Sequence, residues 1–447
     1  MFQNAYLERV YSDVLKNHPH QVEFHQTVLE VFQSIEKIIP TLPHFEDQGI
    51  LERLVEPERV ILFRVPWVDD AGRVQVNRGY RVQFNSAIGP YKGGLRFDSS
   101  VNLSIMKFLA FEQTFKNALT GLPMGGGKGG SDFSSAGKSE GEIMRFCQSF
   151  MSELYRHIGP DTDVPAGDLG VGAREIGYLY GYYRKLTNEF TGTFTGKRIS
   201  FGGSLARTEA TGFGICYFAE AMLKRQGGTS LKGKRVLVSG TGNVGTYAIQ
   251  KAIELGAHVV GINDINHTIH DEEGIDIKTV LSIRSNRQDL GDYGLKHPQA
   301  TITSNPKDLW KIKCDVAIPC ATQNELGIDD AKILVSNGLM ALIEGANMPT
   351  TLEATHYFQE KGILFSPGKA SNAGGVATSG LEMSQNSIRE SWTFEAVDQK
   401  LQTIMLKIYD ACYEASVKVG EPGNLVVGAN IAGFLKVYDA MLHQGII

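Results

Sequence analysis

Cysteine is scarce in this chain of 447 residues: there are five (Cys147, Cys216, Cys314, Cys320 and Cys412), and no two are spaced as C-x-x-C. Few in number and without such a pair, they read as buried thiols in a reducing cytoplasm, not as disulfides or a zinc site. Charge of one sign is not in excess, since 44 Lys and Arg face 49 Asp and Glu for a formal net charge of −5. The two signs are interspersed, so neither nucleic acid nor a membrane surface is expected as a partner. No uninterrupted apolar run reaches about 18 residues, and no transmembrane helix is expected. The opening Met1-Phe2-Gln3-Asn4-Ala5-Tyr6-Leu7-Glu8 lacks the basic-then-apolar form of a signal peptide, which points to a cytoplasmic protein. The histidines lack metal-ligand spacing such as H-E-x-x-H, His18 and His20 merely flank a proline, and no metal site is expected.

Glycine, by contrast, is plentiful, with 50 in the chain. Its densest run is Leu122-Pro123-Met124-Gly125-Gly126-Gly127-Lys128-Gly129-Gly130-Ser131-Asp132. A helix there is excluded, because each Gly costs about 1 kcal/mol relative to Ala. The run reads as a glycine-rich loop that offers positive φ and close backbone approach to a ligand. It leaves Lys128 without bulky sequence neighbours, a candidate base, nucleophile or anion clamp. A phosphate-binding P-loop fails on spacing. G-x-x-x-x-G-K-[ST] needs Gly at 122 and Ser or Thr at 129, where Leu122 and Gly129 stand, and a second attempt at Gly137-Lys138-Ser139 meets Asp132.

The chain is long enough for two domains. Residues 1 to about 55 read as amphipathic helices, as in Val22 to Phe32. Strand-like runs follow at Val60–Val65, Arg73–Val76 and Tyr80–Phe84, with a turn at Asp70-Ala71-Gly72. Val101–Leu119 reads as a helix whose Phe108, Phe111 and Phe115 form a core stripe. Gln113 and Lys116 are three apart on it and share a face. Lys92 stands beside Gly93 and Gly94, and Asp168 lies in a Pro- and Gly-rich turn, Val164 to Gly170.

A second unit starts near Gly202. The strand Arg235–Ser239 runs into Gly240-Thr241-Gly242-Asn243-Val244-Gly245, a helix to Leu255, and a second strand ending at Asn263-Asp264. This is strand, G-x-G-x-x-G, helix, strand and acid, with the acid about 20 residues on. Gly240 allows the tight turn, Gly242 lets backbone approach a pyrophosphate, and Gly245 lets helix pack on strand; the helix N-terminus supplies N–H groups and positive dipole. Further strands at Asp315–Ile318, Met340–Ile343 and Ile363–Phe365 alternate with helical stretches. The pattern predicts a parallel, doubly wound, Rossmann-like sheet with helices on both faces. A nucleotide fold together with several lysines and an aspartate in glycine- or helix-anchored settings suits hydride transfer on a substrate with two carboxylates.

Leu51–Arg59, Gly89–Arg96, Phe111–Asn117, Leu122–Phe133, Asp161–Gly170, Phe201–Gly212, Glu344–Pro349 and Asn372–Asn386 together resemble the glutamate dehydrogenases of the hexameric bacterial and fungal type, within the Glu/Leu/Phe/Val dehydrogenase family. The likeness spans nearly the whole chain. It departs at Ser135 and Thr208, outside the substrate-contact positions. The resemblance implies an α/β fold of two domains around a cleft. Residues 1–200, with the 428–447 helix folding back, would form the substrate-binding and oligomerisation domain, and 201–427 the dinucleotide-binding domain. It implies Lys128 as the lysine that activates water and Asp168 as the proton shuttle to the substrate nitrogen. Lys116 and Gln113, with backbone near Gly167, would hold the α-carboxylate; Lys92 and Ser379 the distal γ-carboxylate; Thr211 and Asn243 the nicotinamide cofactor. Crowding among Lys92, Lys116 and Lys128, with partial desolvation, is expected to depress the lysine pKa, and Asp168 nearby to work against this. Asp264 would by the general rule bind a ribose 2′-OH and indicate NAD, but the overall likeness is to the biosynthetic NADP-using class, with Arg284 and Arg287 as candidates for the 2′-phosphate. NADP is therefore the expected cofactor and NAD the alternative. The expected reaction is reversible deamination of glutamate to 2-oxoglutarate and ammonium by a homohexamer. A sibling amino acid dehydrogenase and a nucleotide sensor without catalysis are the competing readings.

Overall fold

The computed structural model describes residues 2–447. The chain divides into two compact units: one holds residues up to 205 together with 376–397 and 430–447, and the other holds 206–375 and 398–429. The sequence leads one to expect 376–397 within the dinucleotide-binding domain, 201–427. The structure places it in the first unit, because its residues are committed there. Glu382 forms a buried ion pair with Lys197, and the Gln385 amide donates to Ser204 Oγ.

The first unit is built on a five-stranded sheet. Its strands are β1 (Arg59–Val68), β2 (Val74–Asn85), β3 (Tyr91–Phe97), β4 (Gly125–Ser131) and β5 (Asp163–Gly167), in the order β1-β2-β4-β3-β5. β1, β2 and β4 run antiparallel in turn, and β3 is parallel to both β4 and β5. The two expected strands at 73–76 and 80–84 are one, β2. Gly79 carries the strand through, since a Cβ there would sit 2.2 Å from the Phe63 ring.

The glycine run is a strand as well, not a loop, and it lies at the centre of the sheet. Among the described residues, glycines 125–130 are absent from those with positive φ. They serve contact, not turning. A Cβ at Gly126 would lie 1.9 Å from Thr114 Oγ1, and one at Gly130 would lie 2.2 Å from the Arg96 carbonyl oxygen. Such approaches admit only hydrogen.

The helix Leu103–Leu119 lies over β4, capped by the Asn102 side chain, which accepts from Ile105 N–H. Phe111 and Phe115 are buried among Phe24 and Phe84, whereas Phe108 is only half-buried. Each buried ring contributes roughly 1.5–3 kcal/mol. On the opposite side of the sheet Leu95 and Phe97 join Phe133, Phe146 and Phe150 in a second core. Alternation along β3 therefore sends 95 and 97 into that core and leaves 92, 94 and 96 on the other face.

The second unit carries β6 (Arg235–Ser239), β7 (His258–Asn263), β8 (Thr268–His270), β9 (Thr301–Thr303), β10 (Val316–Pro319), β11 (Ala341–Ile343) and β12 (Leu364–Ser366). The order is β12-β11-β10-β6-β7-β8-β9. The five strands from β12 to β7 are parallel, as expected. β8 and β9 extend the edge antiparallel and had no counterpart in the sequence reading. Strand order reverses at β6, the place where such sheets bind ligands.

All five cysteines are free and buried, and burial pushes their thiols up, Cys216 and Cys412 to about 12. Among the described residues one helix, Leu425–Gln444, is long and apolar enough to cross a membrane, although no strictly uninterrupted run predicted one. Its apolarity is accounted for by packing: Ile431, Phe434 and Val437 are fully buried, and Asn430 Nδ2 donates to Ser34 Oγ.

Candidate active site

In the first unit, strand register brings the candidate residues together. Leu95 pairs with Gly129 on β4 and with Gly167 on β5. One residue back on β4 is Lys128; one residue past the end of β5 is Asp168. Lys128 Nζ lies 3.1 Å from Asp168 Oδ2. Arg96 Nε donates to that same Oδ2 at 2.8 Å. Gly94 is what admits Asp168 to this face, since a Cβ there would stand 2.8 Å from the Asp168 Cβ. Pro165 is accommodated because β5 is an edge strand.

Burial pushes the Lys128 ammonium below its ordinary value, the Asp168 charge resists that, and the charges of Arg96 and Arg81 add to it. Desolvation and the opposing Asp168 charge were both expected from the sequence, and burial is the larger effect. Two arginines, Arg96 and Arg81, are cations that act on Lys128. Asp168 is pushed up by burial, yet Lys128 and Arg96 outweigh that and hold the carboxyl below the usual range. Arg81 is itself buried and bound by Asp163, which also accepts from Gln83 Nε2 at 2.9 Å.

Lys92 is buried on the same face of β3 as Arg96, and its Nζ donates to Thr195 Oγ1 at 2.8 Å. Its carbonyl oxygen accepts from Asn117 Nδ2, which also donates to the Gly125 carbonyl. Gln113 Nε2 donates to Asn117 Oδ1 at 2.7 Å. Asn117 thus ties Gln113 to both Lys92 and the start of β4. Lys116 precedes it on the helix and is half-buried. Gly167 closes β5, where a Cβ would meet the Val171 carbonyl oxygen at 2.4 Å. Ser379 is buried on the helix Gly374–Ile388, which the next residue seats: Gly380 faces Leu122 and Met124, just ahead of β4. Arg96, Asn117 and Thr195, which contact the candidate residues Asp168 and Lys92, are not among those the sequence suggested. Alternation along β3 could have flagged Arg96; the other two make contacts distant in sequence.

In the second unit the fingerprint turn follows β6. Gly240 is left-handed (φ 74°), and a Cβ at Gly245 would lie 1.7 Å from the Gly240 carbonyl oxygen. A Cβ at Gly242 would meet nothing within 4 Å, so that backbone faces open space. The helix Asn243–Glu254 begins there with no side-chain cap. Its first-turn N–H groups lack intrahelical acceptors, and the dipole favours an anion. The residues present therefore fit a dinucleotide pyrophosphate. Asn243 Nδ2 donates to the Thr208 carbonyl oxygen, tying this helix start to the segment leading into the helix Ala210–Gly227. Thr211 is half-buried in that helix's first turn.

Asp264 is occupied differently from the general rule. Its Oδ1 accepts from Asn266 N–H and His267 N–H at 2.8 and 2.7 Å, so it stabilises its own turn. The contact with the glycine turn comes from Asn263, whose Oδ1 accepts from Gly240 N–H at 2.8 Å. Arg284 is half-buried and acts electrostatically on Tyr247 of the fingerprint helix; Arg287 is exposed.

Comparison with known proteins gives a consistent family. The Glutamate/Leucine/Phenylalanine/Valine dehydrogenase family model matches residues 202–445, and the Glu/Leu/Phe/Val dehydrogenase dimerisation domain matches 57–185. The chain is 57% identical to the NADP-specific glutamate dehydrogenase of Salmonella typhimurium, over 100% of both chains. It is 56% identical to the NAD-specific glutamate dehydrogenase of Bacteroides fragilis, over 99% of this chain and 100% of that one. Among solved structures, glutamate dehydrogenase of Plasmodium falciparum superposes with a TM-score of 0.95 at 49% identity, over 99% of this chain and 95% of that one.

Proposed function

The chain belongs to the Glu/Leu/Phe/Val dehydrogenase family, and we propose from that premise that it catalyses reversible oxidative deamination of L-glutamate to 2-oxoglutarate and ammonia with NADP. The observation that carries the reading is the Lys128–Asp168 pair, with a lysine depressed by burial and a carboxylate held ionised. Water activation and amine chemistry near neutral pH both need a lysine that can be uncharged and an acid that can exchange a proton.

The roles follow from chemistry. Asp168 takes a proton from the substrate ammonium and returns it in the reverse direction. Lys128 in its neutral form accepts a proton from the water that attacks the substrate iminium carbon. A bound nicotinamide dinucleotide would supply the acceptor for the hydride leaving the substrate α-carbon. Lys116 and Gln113, with backbone at Gly167, hold the α-carboxylate. Lys92 and Ser379 hold the γ-carboxylate. A buried ammonium favours a second carboxylate over an apolar side chain, because a charge-assisted hydrogen bond to a carboxylate is about twice as strong as a neutral one and an alkyl group makes none. That favours glutamate over leucine or phenylalanine.

Gly240, Gly242 and Gly245, with the start of the 243–254 helix, would hold the pyrophosphate, and Thr211 and Asn243 the nicotinamide end. NADP is supported by full-length likeness to NADP-specific relatives and by Asp264, whose carboxylate is engaged in its own turn. NAD is the second reading, favoured by the comparable likeness to the Bacteroides enzyme. The biosynthetic direction, ammonium assimilation in the cytoplasm, belongs to the same proposal.

Assembly is proposed to be a homohexamer built through the first unit. Its edge strand β1 and neighbour β2 expose Leu62 (61%), Val74 (69%) and Val76 (59%), an apolar edge that self-association would cover. The test is incubation with 2-oxoglutarate, ammonium and NADPH, with amino acid analysis of the product. Glutamate formed one-for-one with NADPH oxidised supports the reaction; leucine- or phenylalanine-type products from other 2-oxo acids, with none from 2-oxoglutarate, would replace it.

A further inference from the structure

Two cations converge on a single oxygen of Asp168. Lys128 Nζ is 3.1 Å from Oδ2 and Arg96 Nε is 2.8 Å from it, and neither contact uses Oδ1. We propose that Arg96 is a positioning residue that anchors Asp168 through Oδ2, so that Oδ1 is the oxygen exchanging the proton with the substrate nitrogen. This rests on the reading of Lys128 and Asp168 as the catalytic pair.

The backbone beneath Arg96 is built to hold it. Its carbonyl oxygen is packed so closely on β4 that a Cβ at Gly130 would come within 2.2 Å. The Asp168 side chain occupies the space above Gly94, where a Cβ would stand 2.8 Å from its own Cβ. Arg96 and Asp168 are thus fixed on neighbouring strands, with little freedom for the carboxylate to turn. A guanidinium suits the task because it stays charged at any working pH and donates in a fixed plane. It cannot itself take the proton, which leaves that step to Asp168. In deamination Oδ1 accepts one proton from the substrate ammonium, giving a neutral amine and a neutral carboxylic acid; in amination it gives that proton back.

Arg96 also acts on both partners electrostatically. Among the charged groups, Asp168 beyond the end of β5, Arg96 on β3 and Arg81 on β2 act on Lys128, and Lys128 and Arg96 act on Asp168; Lys92 lies on the same face of β3 as Arg96. Arg81 is neutralised by Asp163, so Arg96 is the cation whose charge is shared within the pair. Removing its charge raises both Lys128 and Asp168. Whichever of the two governs the rising limb of the pH profile, that limb moves to higher pH.

The test uses Arg96→Met, Arg96→Gln and Arg96→Lys beside Asp168→Asn, in the full-length protein, with thermal melting to establish folding. Arg96→Met is expected to lower kcat by about 10–100-fold, the scale of lost outer-shell support. Its rising limb in kcat/KM should move up by about one pH unit, while KM for glutamate changes little. Arg96→Gln keeps a donor without the charge and should recover part of kcat with the limb still shifted. Arg96→Lys keeps the charge and should leave the limb in place. Folded Arg96→Met and Arg96→Gln with wild-type kcat and an unmoved limb would overturn the proposal, as would a fall in kcat with no limb shift in any variant. An active Asp168→Asn would instead remove the catalytic pair on which the proposal rests. If Arg96→Met does not fold, the limb position in Arg96→Gln decides.

Discussion

Replacing Lys128 by alanine separates chemistry from folding more cleanly than its burial suggests. Truncating one partner of a buried ion pair usually costs about 3–5 kcal/mol, because the other charge is stranded. Here Asp168 keeps Arg96 at 2.8 Å, so no carboxylate is left alone. Lys128 is also depressed by burial, so its removal relieves a desolvated ammonium. The net stability change should therefore stay below about 2 kcal/mol, a melting shift of about 8 °C at most for units of this size. Turnover should fall on the order of 10²–10⁴-fold, the range of a lost acid–base group. The assay is initial-rate NADPH oxidation with 2-oxoglutarate and ammonium, beside a melting curve. A folded Lys128→Ala enzyme that keeps more than about a tenth of wild-type kcat would refute the assigned role.

Four further outcomes are expected. Lys92→Leu should lower kcat/KM for glutamate on the order of 10²–10³-fold and improve norleucine or methionine, since it removes a buried cation; an unchanged substrate ranking in a panel assay would contradict that role. Asp163→Ala strands the fully buried Arg81 and should destabilise the first unit by about 3–5 kcal/mol in urea unfolding. Gly93→Ala places a Cβ 1.6 Å from the Gly127 carbonyl oxygen and should destabilise strongly, whereas Gly181→Ala, on an open helix position, should stabilise by roughly 0.5–1 kcal/mol; equal melting temperatures for the two variants would refute the packing account of the glycines. Asp264→Asn keeps an oxygen acceptor for its turn and should leave the ratio of NADPH to NADH KM within about threefold; a large gain for NADPH alone would show that the carboxylate faces the ribose.

The sequence exposed those parts of the molecule that depend on local pattern. The fingerprint turn, its flanking strands and the 103–119 helix follow from periodicity and from Gly chemistry, and the structure has them within a few residues. The glycine run misled because positive φ and close approach are the two uses of glycine, and only neighbours distant in sequence, such as Thr114 and Arg96, decide between them. β8 and β9 are three residues each, too short for a period to register. Ser379 was reached through resemblance alone, and the 376–397 segment was assigned to the other domain because no residue in it announces the ion pair to Lys197. Arg96 and Asn263 were both present beside recognised motifs. Each was passed over because a motif marks what faces the ligand, while these side chains hold the motif in place.

The measurement that tests the central claim most directly is loss of absorbance at 340 nm with 2-oxoglutarate and ammonium, run with NADPH and NADH in parallel cuvettes. Faster loss with NADPH is the expected result and agrees with an Asp264 engaged in its own turn. Faster loss with NADH would keep the reaction and overturn the cofactor, and no loss with either in folded protein would contradict glutamate dehydrogenation itself.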